Sequence, residues 1–407
     1  MTRRLATAFL GSLLLVAYSA PVRAQAQTIE IGLDLPLSGI DGASAIPVRN
    51  AVLLAIEEAN RRGLPGGVHL ALEDLDDTVQ GKHDPAQGAQ NMKAFVADPA
   101  VLVAIGPMNS NVAKAQIPIG NAAGLAQITM AATAIELTHP PDAVKLRPYN
   151  PNRPAFFRVC ASDDRQGAAA ARFARDAGLR RAFVIDDNES YGKGLADVFA
   201  RAFAADGGSV LGREHLTPFA LDFGPLLTKV KATGPDAIFF GGIVSTGGAV
   251  LRKQMADAGL GGVPYFGGDG LESPEYQPLA GPAAEGTYFT LIAPDVGHLP
   301  AARAFAAAYR ARFGSPPGSY SPGGYAAAVV AIDAVRGALR AHPDRLPHAR
   351  RGSGAGGRHE RPRHADRPDC VRPEWGSPAA RHQPVPDPRR AGRVRAPGRR
   401  LKPRICP

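Results

Sequence analysis

The sequence predicts an α/β protein of two lobes, each built around a parallel β-sheet. From Ile29 onward, short apolar strand-like runs alternate with helical stretches of ten or more residues, which is typical of βαβ units. This patterned body spans about 320 residues, more than one ordinary domain contains. With 45% hydrophobic residues, the chain can form the two cores that such lobes require.

The individual elements follow from local patterns. Asn50 to Arg62 has the i, i+3, i+4 spacing of a helix and ends before Gly63, and Asp84-Pro85 supplies an N-cap and first-turn proline for the next helix. Strands are predicted at 29–35, 68–72, 101–105, 126–130, 182–185, 237–240 and 263–266. Further helices are predicted near 111–122, 165–177, 191–204, 222–232 and 247–258.

The amino terminus has the pattern of a secretory signal. Arg3 and Arg4 precede a mostly apolar stretch from Leu5 to Ala20, and small residues follow. We expect residues 1–24 to be removed and the product to be periplasmic, with an uncleaved anchor as the alternative.

The basic character of the chain is confined to its carboxyl end. The formal net charge is +10, but residues 349–407 alone carry a net +11, with 15 Arg, 10 Pro and 7 Gly. They have no strand or helix periodicity, so we expect a disordered tail. A frameshift of a GC-rich gene and a native basic arm both fit this composition. Since the body is mildly acidic and exported, no nucleic acid partner is expected.

Cysteine usage indicates a fold without disulfides in the body. Cys160 is the only cysteine before the tail, which holds Cys370 and Cys406. One thiol without a nucleophile motif indicates a small core residue.

The residues that follow the predicted strands are candidates for a binding site, because ligands of open parallel sheets bind beyond the carboxyl ends of the strands. These positions are rich in small, hydroxyl and amide residues, including Ser110, Thr133 and Tyr191, with Asp269 on a glycine-rich turn. Hydroxyls and free N–H groups at helix N-termini bind a carboxylate, and an aspartate binds an ammonium group. The set predicts a site for a small zwitterion.

Enzyme motifs are missing from the sequence, which has no Walker A, G-x-S-x-G or H-E-x-x-H pattern. We therefore expect no catalysis, no cofactor and no metal. The acidic group Glu73, Asp74, Asp76 and Asp77 fits a solvated strand end or a loop near the cleft or, less well, a metal site. His83 is expected to be exposed and incidental.

The ordered motifs of the body resemble the periplasmic substrate-binding proteins of branched-chain amino acid ABC transporters. The resemblance covers about residues 28–340, and it is carried by segments such as Leu35-Pro36-Leu37-Ser38-Gly39, Glu57-Glu58-Ala59-Asn60, Ile105-Gly106-Pro107, Tyr191-Gly192-Lys193-Gly194 and Gly267-Gly268-Asp269-Gly270. It implies a type I periplasmic-binding fold, in which two doubly wound lobes are joined by a hinge and close on the ligand.

The resemblance also implies a division of the chain. Residues 25–160 and 290–345 would form the N-terminal lobe, residues 161–289 the C-terminal lobe, and residues 349–407 a tail outside the fold. Family members end with a helix and a strand pair that have no counterpart here, so we expect an incomplete second lobe with an exposed sheet edge.

Carried over residue by residue, the resemblance implies a ligand site. Ser110 and Thr133 would bind the α-carboxylate, the Ala131 carbonyl and Asp269 the α-ammonium, and Tyr191 would cover the ligand. Pocket-shaping positions fall at Ser44 (or Ala45), Asn109 and Ile243, two of which lack the aromatic that the family carries.

The function implied is solute capture for an ABC importer, with a small-molecule ligand, an inner-membrane permease as partner, and a monomeric state. The missing aromatics leave the ligand open among amino acids, amides, urea and aromatic acids. A ligand sensor of the same fold is the alternative function.

Overall fold

The computed structural model describes residues 27–293 and 299–342. The predicted signal peptide and basic tail lie outside the described residues. Among the described residues, no helix combines the length and apolar character needed to cross a membrane.

The first lobe is a five-stranded parallel sheet in the order β2-β1-β5-β6-β7. Its strands are β1 (Thr28–Leu35), β2 (His69–Asp76), β5 (Val101–Ile105), β6 (Ala126–Thr129) and β7 (Phe156–Arg158), with a small antiparallel hairpin of β3 (Thr78–Val79) and β4 (Lys82–His83). Its helices are α1 (Gly42–Arg62), α2 (Pro85–Ala97), α3 (Ser110–Ala123) and α4 (Asp142–Lys145).

The second lobe is a five-stranded parallel sheet in the order β12-β11-β10-β8-β9. Its strands are β8 (Arg181–Asp186), β9 (Ser209–His215), β10 (Ala237–Gly241), β11 (Tyr265–Gly267) and β12 (Thr287–Phe289). Its helices are α5 (Asp163–Asp176), α6 (Ser190–Ala205), α7 (Gly224–Thr233), α8 (Ala249–Asp257) and α9 (Tyr276–Ala280). The chain then returns to the first lobe, where α10 (Arg303–Phe313) and α11 (Ser321–Ala341) pack on α1.

Alternate residues of the central strands fill opposite faces of each sheet. On β1, Ile31 and Leu33 are fully buried in the cluster that α1 and α11 cover. On β10, Ile238 and Phe240 face one core and Phe239 faces the other, where it stacks on Phe199. Since both faces of each sheet are covered by helices, the strands are continuous apolar runs, as expected for buried parallel sheets.

Both lobes reverse their strand order at one point, and this determines where a ligand can bind. In the first sheet β2 and β5 flank β1, and in the second β9 and β10 flank β8. The loops after β1 and β5, and those after β8 and β10, therefore diverge and leave a crevice at the carboxyl edge of each sheet.

The predicted fold class is confirmed, and the predicted strands and helices are all present. Five strands, β3, β4, β7, β9 and β12, were missed, and α1 begins at Gly42 rather than Asn50, with Pro47 inside it. At the outer edge of the second sheet, Tyr288 and Phe289 of β12 are 44% and 41% exposed.

The aromatic core of the second lobe supports a stability prediction. Phe239 is fully buried, and its ring centroid lies 3.9 Å from that of Phe199. We expect Phe239→Ala to lower the free energy of unfolding by about 3–5 kcal/mol, because it removes apolar contacts and leaves a cavity. Phe157→Ala is the matched control, since Phe157 is 47% exposed, and should cost less than about 1 kcal/mol. Equal losses in urea unfolding of the two variants would contradict this assignment of the core.

Candidate functional site

A cleft lies between the two lobes at the crevices of both sheets. Its walls are the loops that follow the strands, and α3 and α6 approach each other across it. The lining residues are Pro36, Asp41, Ser44, Met108, Asn109, Ser110, Asn111 and Ala131 from the first lobe, Glu189, Tyr191, Ile243, Val244, Asp269, Gly270, Glu272 and Ser273 from the second, and Tyr320 at the start of α11.

Asp269 is the most constrained charged group of the cleft. It follows β11 in a single 3₁₀ turn and is 4% exposed. Its Oδ1 accepts hydrogen bonds from Gln166 Nε2 at 2.8 Å and from the Tyr191 hydroxyl at 3.0 Å, and the Tyr320 hydroxyl lies 3.0 Å from Oδ2. Burial raises the pKa of Asp269, while these three donors act to lower it. A cation in the cleft would favour the ionised carboxylate further.

Gln166 joins Asp269 to a second buried carboxylate at the crossing between the lobes. Its Nε2 lies 3.1 Å from Asp163 Oδ1, and its Oε1 accepts from the Thr290 hydroxyl at 2.7 Å. Burial, together with the nearby Asp269 charge, raises the pKa of Asp163 to about 8. Asp163 is therefore largely protonated at neutral pH, and the two acids do not both carry a charge.

Close backbone packing places Tyr191 against Asp269. A Cβ on Gly192 would lie 2.3 Å from the Gly241 carbonyl oxygen, so α6 can begin hard against the end of β10 only because residue 192 is glycine. A Cβ on Gly268 would lie 2.4 Å from the Tyr191 hydroxyl. Two glycines thus bring the phenol within hydrogen-bond distance of the carboxylate.

The opposite wall of the cleft is the amino end of α3. Ser110 is its first residue and is buried, with Oγ accepting from the Ala134 amide at 3.2 Å. Asn109 is the N-cap residue but makes no capping hydrogen bond, and its buried Oδ1 has no hydrogen-bond partner among the described residues. The first N–H groups of a helix have no intrahelical acceptor, so this end of α3 can bind an anion.

The structure brings most of the predicted site residues to one cleft. Ser110, Ala131, Tyr191 and Asp269 line it, as do the pocket-shaping positions Ser44, Asn109 and Ile243. Thr133 does not. Its side chain is 1% exposed and acts on the Asp163 carboxyl rather than on the cleft, and its carbonyl accepts from Arg158 and the Asp163 amide.

Sequence reasoning missed six polar residues of the cleft lining, which are Asp41, Asn111, Glu189, Glu272, Ser273 and Tyr320. Tyr320 reaches Asp269 from the start of α11, and Asp41 and Glu189 are the residues that precede α1 and α6. The expectation that His83 is exposed and incidental is wrong. It is 4% exposed and lies between Asp41 and Glu189. The one sequence feature that could have drawn attention to His83 was its position directly before the N-cap residue Asp84.

The charged side chains of the described cleft lining are all acidic. Among the described residues, four carboxylates line the cleft, those of Asp41, Glu189, Asp269 and Glu272, and neither lysine nor arginine does. The apolar part of the lining is aliphatic and sulfur-containing, formed by Pro36, Met108, Ile243 and Val244. Such a wall favours a ligand that carries a positive charge and a compact apolar group.

The acidic group at the end of β2 has separate roles. Asp74 pairs with Arg49, and Asp76 accepts from the amides of Leu37 and Thr78. Asp77 is fully buried, so the expectation of a solvated strand end is wrong for this residue. Glu73 instead approaches Glu30 and Asp98.

Comparison with known proteins places the chain among solute-binding proteins. A family model described as periplasmic binding protein matches residues 28–351. The chain is 32% identical over 306 residues to the Leu/Ile/Val-binding protein BraC3 of Rhizobium johnstonii, covering 74% of this chain and 77% of that protein.

Solved structures agree with this placement. A leucine binding protein, LivK, from Thermotoga maritima matches with a TM-score of 0.66 at 27% identity, over 76% of this chain and 83% of that one. LivJ from Streptococcus pneumoniae, solved in complex with isoleucine, matches with a TM-score of 0.65 at 25% identity, over 76% and 84%. A benzoate-bound solute binding protein from R. palustris, at 22% identity and a TM-score of 0.64 over 76% and 81%, is similar in fold alone.

The buried acid pair predicts a pH-dependent stability difference. Asp163 has a pKa of about 8 in the folded protein and about 4 when unfolded, so unfolding releases its proton between these values. The free energy of unfolding of the wild type should therefore fall, relative to Asp163→Asn, by about 1 kcal/mol per pH unit between about pH 5 and pH 7.

Urea unfolding of both proteins at several pH values measures this difference. Asp34 and Asp187, whose pKa values burial raises to about 7, are present in both proteins and cancel. Parallel pH profiles would mean that Asp163 is already ionised in the folded state.

Proposed function

Because the chain belongs to the periplasmic binding protein family, we propose that it captures a small aliphatic α-amino acid between its lobes and delivers it to an ABC importer. The observation that carries this proposal is the pairing of two opposite sites in one cleft. The amino end of α3 with Ser110 suits an α-carboxylate, and the buried Asp269 carboxylate suits an α-ammonium group.

The ammonium site is supported by the state of Asp269. Its carboxylate is held by three donors in a buried position, yet burial still raises its pKa. An ammonium group in the cleft would supply the positive charge that stabilises the ionised form of this carboxylate. The carbonyl of Ala131, in the loop after β6, lies in the same lining and is the proposed second acceptor for the ammonium.

The carboxylate site rests on the first lobe. We assign the ligand carboxylate to the Ser110 hydroxyl and the amino end of α3, with Asn109 beside them. Thr133 is assigned a supporting role, since its backbone carbonyl anchors Arg158 and its side chain lies outside the cleft lining.

The side-chain pocket is proposed to lie among Ile243, Val244, Met108 and Pro36, with Tyr191 covering the ligand and Ser44 leaving space at the first-lobe wall. The relatives named as Leu/Ile/Val-binding proteins, and the neighbour solved with isoleucine, support a branched aliphatic side chain. The acidic wall makes a ligand with only a carboxylate, such as an aromatic acid, less favourable, because nothing positively charged lines the described cleft.

The cellular role follows from the family. We propose that the protein is periplasmic, acts as a monomer without catalysis, and docks in its closed form on an inner-membrane permease. A genetic neighbourhood that holds permease and ATPase genes would support the transport role, while a kinase or regulator gene beside it would point to a sensor.

Asp269 provides the most direct test of the site. Asp269→Ala should weaken L-leucine binding by about 2–5 kcal/mol, the usual cost of removing one partner of a buried charge pair. Isothermal titration calorimetry measures the affinity, and Asp333→Asn is the control, because Asp333 is exposed on α11. A change smaller than about tenfold would remove Asp269 from the ligand site.

A further inference from the structure

A second polar contact joins the lobes, and it is centred on His83. His83 belongs to β4 in the small hairpin of the first lobe and is 4% exposed. Its Nδ1 lies 3.0 Å from Asp41 Oδ2 in the same lobe, and its Nε2 lies 2.9 Å from Glu189 Oε2 in the second lobe. Asp41 and Glu189 both line the ligand cleft.

Apolar contact from the second lobe completes the enclosure of the imidazole. The ring of Phe219 packs on it with a centroid distance of 5.6 Å and an interplanar angle of 51°. The Nζ of Lys82, the neighbouring residue on β4, lies 4.6 Å from the centroid of the same Phe219 ring. Both contacts cross from the hairpin to the other lobe, so both are lost when the lobes separate.

The geometry favours a charged imidazole. A neutral imidazole can donate from only one nitrogen, whereas here both nitrogens face carboxylate oxygens. Burial lowers the pKa of His83, but the hydrogen bonds to Asp41 and Glu189 outweigh burial and raise the pKa to about 10.

The surrounding charges are accounted for. Asp77, buried close to His83, has its pKa raised well above the usual range, first by burial and then by the Asp34 charge. Asp187, two residues before Glu189 in sequence, has a pKa of about 7, raised by burial and by the Glu189 charge. The imidazolium therefore offsets one of the two negative charges of Asp41 and Glu189, the carboxylates that contact it directly.

We propose that His83 is a positioning residue that holds the cleft closed, by donating from the first lobe to Glu189 of the second. Opening breaks the Glu189 hydrogen bond and the Phe219 contact but leaves the Asp41 hydrogen bond within the first lobe. The strength of this clamp then sets how fast a captured ligand escapes. Its effect on ligand affinity rests on the proposed function, whereas its effect on closure does not.

A double-mutant cycle tests the clamp with L-leucine as the probe. His83→Gln and Glu189→Gln should each raise the Kd about 10-fold through a faster dissociation rate, with the association rate little changed. The double variant should bind L-leucine no more weakly than the weaker-binding single variant, because both substitutions remove the same contact. His69→Gln is the matched control, since His69 is an exposed histidine on β2 of the same lobe, and should leave the Kd unchanged.

The pH dependence of the ligand affinity distinguishes this role of His83 from a purely structural one. The closed form binds the His83 proton more tightly than the open form, so closure is favoured at low pH and loses this contribution as pH rises toward about 10. The ratio of the Kd of His83→Gln to that of the wild type should shrink between pH 7 and pH 9. The ammonium titration of leucine is shared by both proteins and cancels in this ratio.

Small-angle X-ray scattering of the unliganded full chain separates failure of the clamp from failure of the proposed function. At pH 7 the wild type should have a smaller radius of gyration than His83→Gln and Glu189→Gln, whether or not leucine binds. If the wild type does not bind leucine, the proposed ligand is wrong and the scattering comparison alone decides on the clamp. Equal radii of gyration of the wild type and the two variants would overturn the clamp. So would a double variant whose loss of binding free energy equals the sum of the losses in the two single variants.

Discussion

The buried carboxylate of Asp269 is the group on which the organisation of the cleft depends. A charge removed from water must be matched by donors or by an opposite charge, and otherwise it takes up a proton. Its three donors come from distant parts of the chain, with Gln166 on α5, Tyr191 on α6 and Tyr320 at the start of α11. The Asp269 side chain therefore connects the second lobe to α11, the helix that returns to the first lobe. Its three donors are neutral, so a cationic group of a ligand can still provide the opposite charge.

The parallel sheets determine where this carboxylate can act. Each sheet reverses its strand order once, and the divergent loops there face each other across the cleft. Helix α3 presents its amino end from one lobe, while the glycine turn that carries Asp269 presents an acid from the other. One wall of the cleft therefore suits an anion and the other suits a cation. A zwitterion can pair with both walls, whereas an ion of a single charge can pair with only one. The His83 contact adds a second link between the lobes beside the ligand.

Most of the fold and about half of the polar site could be predicted from the sequence, because they depend on local patterns. Buried strands such as β5 and β10 are continuous apolar runs, and Ser110, Tyr191 and Asp269 follow strands directly. Strands β7 and β12 have only three residues each, too few for a periodic signal. Tyr320 and His83 could not be placed, since their partners are 51 and 106 residues away and meet them through the packing of the returning helix and of the two lobes.

Removing the ammonium group from the ligand, while leaving its carboxylate and side chain intact, tests the role of Asp269 most directly. Calorimetric titration of the wild-type protein with L-leucine and with 4-methylpentanoate compares two compounds that differ only in the ammonium group. If Asp269 recognises the ammonium group, 4-methylpentanoate should bind at least about 30-fold more weakly than leucine, because the buried carboxylate loses its charged partner. Equal affinities for the two compounds would mean that the cleft does not recognise the ammonium group of an amino acid.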